Sequence, residues 1–121
     1  MLGVALKSIG YFGFQNLLVQ PSEESEKIKQ KFPEVSFGKA PYDFALLDHV
    51  DESLIFQMVE NEELHNNSMI LIKNIHLDGK QESHWKSLIA NQCITVSVDH
   101  FYCGVIFLRK EQEKEHFSIR I

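Results

Sequence analysis

Basic residues are in short supply in this chain: 12 Lys and Arg stand against 17 Asp and Glu, for a net charge of −5. Phosphate recognition needs clustered cations, so this balance argues against a nucleic-acid partner. The cations present are scattered and sit beside acids, as in Lys110-Glu111 and Lys114-Glu115. No apolar run has membrane-spanning length, and no basic-then-apolar leader opens at Met1, so neither a membrane partner nor secretion is expected. Cysteine is equally scarce. Cys93 and Cys103 lie in apolar, strand-like segments without metal-ligand spacing. They are read as buried free thiols in a reducing compartment, which implies a cytoplasmic protein. No repeat, low-complexity tract or Pro/Gly-rich linker divides the 121 residues, so 1–121 is read as one domain.

What the sequence does have is apolar content: 44% hydrophobic residues and nine phenylalanines. A chain of this size buries roughly two-thirds of its unfolded surface, enough for a modest core. Leu2 to Ile9 is expected to be a short apolar helix that ends near Gly10 or Gly13. Asn16 to Gln20 follows as a buried strand stopped by Pro21. Ser22 then caps a helix with Glu23, Glu24 and Glu26 at its start and Ile28 and Phe32 on its inner face, closed by Pro33. Val35 to Phe37 is a short edge strand. Tyr42 to Asp48 is apolar almost throughout, as strands covered on both sheet faces are.

Asp51 is positioned to cap a helix whose apolar stripe is Leu54, Ile55, Met58 and Val59. Glu60 to Glu63 is its solvated end, and His65-Asn66-Asn67-Ser68 is read as a turn. Met69 to Ile72 is the most apolar strand and is placed centrally. Asp78 and Gln81 have capping-box spacing before a helix that buries Trp85, Leu88 and Ile89. Ile94–Val98, Gly104–Leu108 and His116–Ile121 are three closely spaced strands, and short connections make such neighbours antiparallel. The expected architecture is an α/β fold: a Rossmann-like, open, mostly parallel sheet with helices on both faces and a C-terminal antiparallel hairpin.

That terminal hairpin has company in sequence. Ile72-Lys73-Asn74-Ile75-His76, His84-Trp85, Thr95-Val96-Ser97-Val98-Asp99, Gly104-Val105-Ile106-Phe107, Arg109-Lys110-Glu111-Gln112 and Glu115 to Arg120 resemble the C-terminal half of a group of bacterial methyltransferase-like proteins, which have the class I SAM-dependent methyltransferase fold. The resemblance covers Tyr42 to Ile121 and implies SAM as cofactor. It stops in the front half. Nothing before Gly10 supplies the family's first strand and glycine-rich cofactor loop, and Gly10-Tyr11-Phe12-Gly13 is read as a turn. On this reading the chain is truncated at its N-terminus and starts at the family's first helix. Gln20 stands where the family places the acid that binds the SAM ribose, so Gln20 is the cofactor-binding candidate. It lacks the charge of that acid, and SAM is not expected to bind.

In catechol-type relatives a metal sits between an aspartate after the fourth strand and an Asp-Asn pair after the fifth. Asp48 and Asn74 match two of these positions, but Lys73 replaces the third ligand. The site is therefore read as degenerate and metal-free, with a Lys73–Asp48 ion pair in place of the ion. His49 and His76 follow strand ends at the edge where open α/β sheets bind ligands. Each is a candidate general base, against the plainer reading of a loop histidine bonded to backbone. His84, His100 and His116 are placed at surface or edge positions.

Two functions follow. One is a degenerate methyltransferase-like protein, not catalytically competent alone, that serves as an oligomerisation or interaction module. A sheet without its first strand must pair the second strand with the fourth or leave an open edge, and an open edge favours a homodimer. The alternative is a small-molecule O-methyltransferase, weakly active or completed by a partner chain, with Asp48, Asn74 and His76 at the acceptor site.

Overall fold

The computed structural model describes residues 2–20, 23–111 and 113–119. The elements run α1 (Leu2–Phe12), β1 (Asn16–Val19), α2 (Glu23–Lys31), β2 (Ser36–Phe37), β3 (Tyr42–Leu47), α3 (Glu52–Glu60), β4 (Leu64–Lys73), α4 (Gly79–Ala90), β5 (Val96–Asp99), β6 (Cys103–Phe107) and β7 (Glu115–Ser118). The strand stop at Pro21 and the cap at Ser22 lie outside the described residues. Gly10 to Phe12 is the last turn of α1 rather than a free turn. Gly10 packs there against Phe32, and Gly13 ends the helix at φ +67, a conformation in which only glycine is unstrained.

All seven strands form one sheet in the order β2-β1-β3-β4-β6-β5-β7. Neighbours are parallel except around β6, which is antiparallel to both β4 and β5. The fold is thus α/β with a mixed, mostly parallel sheet, and β4 is central. β1 pairs directly with β3, with Leu17 opposite Phe44 and Val19 opposite Leu46, so no strand lies between them and no open edge is left there. The free edges are β2 and β7.

The ending differs from expectation in one respect. β7 does not extend the β5–β6 hairpin on the β6 side. It adds beside β5, in parallel, because the far side of β6 is already paired with β4. The stretch His65–Ser68 is also not a turn. It is the first part of β4, distorted where the register shifts between Tyr42 and Phe44. Ser68 holds the distortion: its hydroxyl donates to the Tyr42 carbonyl at 2.6 Å and accepts from the His65 N–H at 2.8 Å. Those bonds satisfy polar groups that the sequence pattern assigns to solvent.

Alternation along the strands divides the core into two layers. Leu17, Val19, Phe44, Leu46, Met69 and Leu71 face Ala5 and Ile9 of α1 and Ile28 of α2. Ala45, Leu47, Ile70, Ile72 and Ile106 face Ile55 and Met58 of α3 and Trp85 and Leu88 of α4. Trp85 is 2% exposed and its ring lies over Gly104, where a Cβ would meet the Trp85 Cη2 at 2.4 Å. Only a residue without a side chain lets β6 pass under α4 at this point. Asp51 and Asp78 cap α3 and α4 by accepting from the Leu54 and Gln81 N–H groups. The capping box at α4 is half made, because the Gln81 side chain accepts from the Val50 N–H instead of turning back to Asp78. Cys103 is buried, whereas Cys93 is partly exposed.

Candidate functional site

β1, β3, β4, β5 and β7 all point their carboxyl ends to one edge of the sheet, as their pairing requires. After β1 the chain continues to β2 on one side, and after β3 it continues to β4 on the other. The gap between the ends of β1 and β3 is therefore the topological switch point, where α/β sheets of this kind hold ligands. Gln20 and Asp48 end those two strands. The Gln20 N–H donates to the Leu46 carbonyl at 2.8 Å, so the backbone ladder continues to the strand end.

The Lys73–Asp48 pair does not form. Lys73 shares a sheet face with Leu71, the face that α2 covers, and its ammonium donates to Glu24 Oε1 at 2.5 Å. Asp48 takes His49 Nδ1 at 2.8 Å instead. Both partners of the Lys73–Glu24 pair are largely buried, with side chains 15% and 19% exposed, and among the described residues the buried Glu24 Oε2 has no hydrogen-bond partner. The pair ties the end of β4 to the start of α2, the helix that follows β1, with β3 between the two strands.

Asn74 sits at φ +61, and its side-chain amide donates to the Asp48 backbone carbonyl at 3.0 Å. Asp48 and Asn74 are thus adjacent, but through backbone rather than as two free oxygen ligands. Among the described residues no group of three His, Cys, Asp or Glu is arranged to hold a metal ion.

The two candidate histidines have different surroundings. His49 is 52% exposed in its side chain, and among the described residues the carboxylates that approach it are its near neighbours Asp48 and Asp51. His76, in the β4–α4 loop, is held between two carboxylates. Its Nε2 is 2.7 Å from Asp99 Oδ2 and its Nδ1 is 3.1 Å from Glu82 Oε1. Burial pulls the His76 pKa down, but hydrogen bonding and charge from Asp99 and Glu82 outweigh it, so the net shift is upward. An imidazole with both nitrogens engaged by acids is favoured as the imidazolium. In that state His76 is a cation and a donor, not a general base.

Asp99 and Glu82 are the residues that sequence reasoning passed over. Glu82 belongs to the first turn of α4 and Asp99 to the end of β5, 23 residues beyond His76. An acid closing an alternating strand was the available signal for Asp99, but only the reversed β6 brings that strand end beside the β4 loop. Phe101, at φ +66, stands over the same place with its ring 5.9 Å from His76. His76, Glu82, Asp99, Phe101, Ser118 and Ile119 line a cavity of about 390 Å³. A second cavity, about 890 Å³, opens near the amino end of β4 beside Leu64, His65, Cys93 and Lys110.

His65, which the sequence assigned to a turn, bonds Asp43 at 2.7 Å and accepts from the Asn67 N–H. His116 lies on exposed β7 and bonds the Ser97 hydroxyl, and His84 approaches Glu52 at 3.4 Å. Trp85 is a core residue. No described helix is long and apolar enough to cross a membrane. Compared with known proteins, the chain matches no family model, no curated protein and no solved structure.

Proposed function

We propose that this chain is a methyltransferase-like protein that does not bind SAM by itself and works as an interaction or oligomerisation module. The observation that carries the reading is the Lys73–Glu24 pair over the carboxyl edge. The pair commits the cation at the end of β4 and an acid at the start of α2 to each other, and a ligand that drew on either would strand a largely buried charge, which is costly. The direct β1–β3 ladder supports the same view, since strands already hydrogen-bonded to each other leave no place for an intervening strand. The order of the C-terminal strands, with β6 reversed between β4 and β5, is the feature that favours methyltransferase likeness over other open α/β sheets.

The module half of the proposal rests on the surface. β7 is an edge strand exposed along its whole length; Phe117 within it and Ile119 just beyond it are each about half exposed. Unpaired strand edges with apolar side chains are surfaces that other chains cover. The O-methyltransferase alternative has less support, because the Asn74 amide and both His76 nitrogens are engaged by protein groups.

Calorimetric titration with SAM and S-adenosylhomocysteine tests the first half. No heat of binding is expected, and a dissociation constant in the micromolar range would overturn it. Light scattering behind size exclusion tests the second. A dimer mass is expected, and a strictly monomeric species across micromolar concentrations would count against the module.

A further inference from the structure

The cavity at the ends of β4, β5 and β7 lies apart from the switch point and has its own chemistry. Its described walls carry two carboxylates, one imidazole, one aromatic ring, one hydroxyl and one alkyl side chain, and among the described residues no Lys or Arg lines it. With His76 protonated the described lining residues sum to a net charge of −1, and with His76 neutral to −2. Those groups repel an anion in both states. A neutral apolar molecule would strip water from the acids without replacing their hydrogen bonds.

Phe101 supplies the other half of the environment. The residue is 53% exposed although its backbone is left-handed, a conformation that costs a bulky residue of order 1–3 kcal/mol. The ring stands beside His76 and the cavity, in a T-shaped contact with Tyr102 at 4.9 Å, and an exposed aromatic ring can take a cation against its face. Glu82 uses Oε1 on His76, and its side chain is 45% exposed. Among the described residues its second oxygen takes no bond, which leaves an acceptor at the cavity mouth. A volume of about 390 Å³ is in the range of small-ligand pockets, roughly 300–1,000 Å³. It is far larger than a bare ion requires, and the nitrogen and oxygen atoms of the cluster face one another rather than a shared point.

We infer that this cavity binds a small organic cation, a primary ammonium or guanidinium on a short apolar body, with Glu82 and Asp99 as counter-ions and Phe101 as the face of the site. His76 is then the resident cation that the ligand displaces. The charged groups facing His76 among the described residues are Glu82 from α4 and Asp99 from β5. β7 contributes Ser118 and the β5–β6 turn contributes Phe101, neither of which titrates near neutral pH. Ligand and proton compete for the same two carboxylates, so binding strengthens as pH rises through the titration of His76. The inference requires nothing of the switch point, and it shares Ser118 and Ile119 with the β7 edge that the module reading uses; the amine titration and the mass measurement fail separately.

Phenethylamine and agmatine are the probes, with phenylacetate as the anionic control, followed by amide and His Cε1–H chemical shifts on the intact chain. A molecule of this size is expected to bind with a dissociation constant on the order of 1 mM. Shifts should be centred on His76, Asp99, Phe101 and Ser118, and be stronger at pH 8 than at pH 6. Glu82→Gln, at an exposed position that does not threaten folding, should weaken the amines about tenfold, the value of one charge-assisted bond. The cavity is not an amine site if neither amine shifts these residues at about 10 mM probe, roughly ten times the expected constant. The same conclusion holds if phenylacetate binds as well as phenethylamine, if pH has no effect, or if Glu82→Gln binds as the parent does.

Discussion

Gly104→Ala is the substitution on which the packing argument is most exposed. The added Cβ would lie 2.4 Å from Trp85 Cη2, 2.6 Å from Cζ3 and 3.0 Å from Cζ2, where carbon atoms rest at about 3.5–4.0 Å. The ring must retreat by roughly 1 Å to restore that spacing, yet Trp85 is 2% exposed and Leu88, Ile72 and Ile106 fill its surroundings. Overpacking of this kind costs about 1–3 kcal/mol, and the short contacts place it near the top. The reduced freedom of alanine in the unfolded chain returns about 0.4–1 kcal/mol. The net expectation is a loss of about 2 kcal/mol, a fall in Tm of about 8 °C for a chain of this length. Trp85 is the single tryptophan, so its fluorescence during urea unfolding reads the environment at issue. Gly104 also pairs with both Ile72 and Asp99, so the strain extends toward the His76 cluster. Introducing Gly104→Ala into a Trp85→Leu background should cost at least about 1 kcal/mol less than introducing it into the parent, measured by circular dichroism as a double-mutant cycle. A Gly104→Ala protein within about 0.5 kcal/mol of the parent, the ordinary range of neutral surface changes, would refute the close contact.

Four further substitutions test the electrostatic claims. Asp43→Ala strips the Gln15 and Asn16 N–H groups of their acceptor and should cost about 2 kcal/mol in urea. Burial raises the Asp43 pKa, but those N–H groups and His65 outweigh it and hold it low. Its contribution is therefore present above the ordinary carboxylate range and lost as pH falls through the depressed folded value. The variant should show a flatter acid limb in Tm against pH, and an unchanged limb would discredit the assignment. Lys73→Met leaves Glu24 buried with neither oxygen paired among the described residues and should cost about 2 kcal/mol, below the roughly 3–5 of a fully buried pair. Glu24→Gln added to it should recover part of that loss, and a double variant worse than the single would sink the ion-pair account. His76 has a raised pKa, so its stabilisation is full below about 6.5 and disappears as pH rises through the folded value. The Tm difference between parent and His76→Asn should narrow from pH 5.5 to pH 9, and a constant offset would show that charge plays no part.

Local chemistry was legible in the sequence. The caps Asp51 and Asp78, the stripe of α3, and strands β1, β3 and β6 fall close to where spacing put them, because each depends on residues a few positions apart. The burial of Trp85 was legible for the same reason, though its partner Gly104 was not. Where polar residues took part in a strand, local reading failed: His65 to Ser68 look like a turn until Tyr42 and Asp43 arrive across the sheet to bond them.

The candidate site divides along the same line. That His49, His76, Asp48, Lys73 and Asn74 stand at strand ends follows from the order of elements along the chain. Which acid each cation takes does not. Lys73 chose Glu24 over Asp48 because strand alternation turned it toward the α2 face, and His76 took Asp99 because β6 reversed and returned β5 to the same edge. β7 lies on β5 for a kindred reason, as β6 had no free side left. The sequence by itself determined the elements, their caps and the apolar layers, through contacts within about one turn or one pleat. Tertiary structure alone decided the ion pairs, the strand order beyond β4 and the cavity under Phe101, since these depend on groups up to 49 residues apart meeting in space.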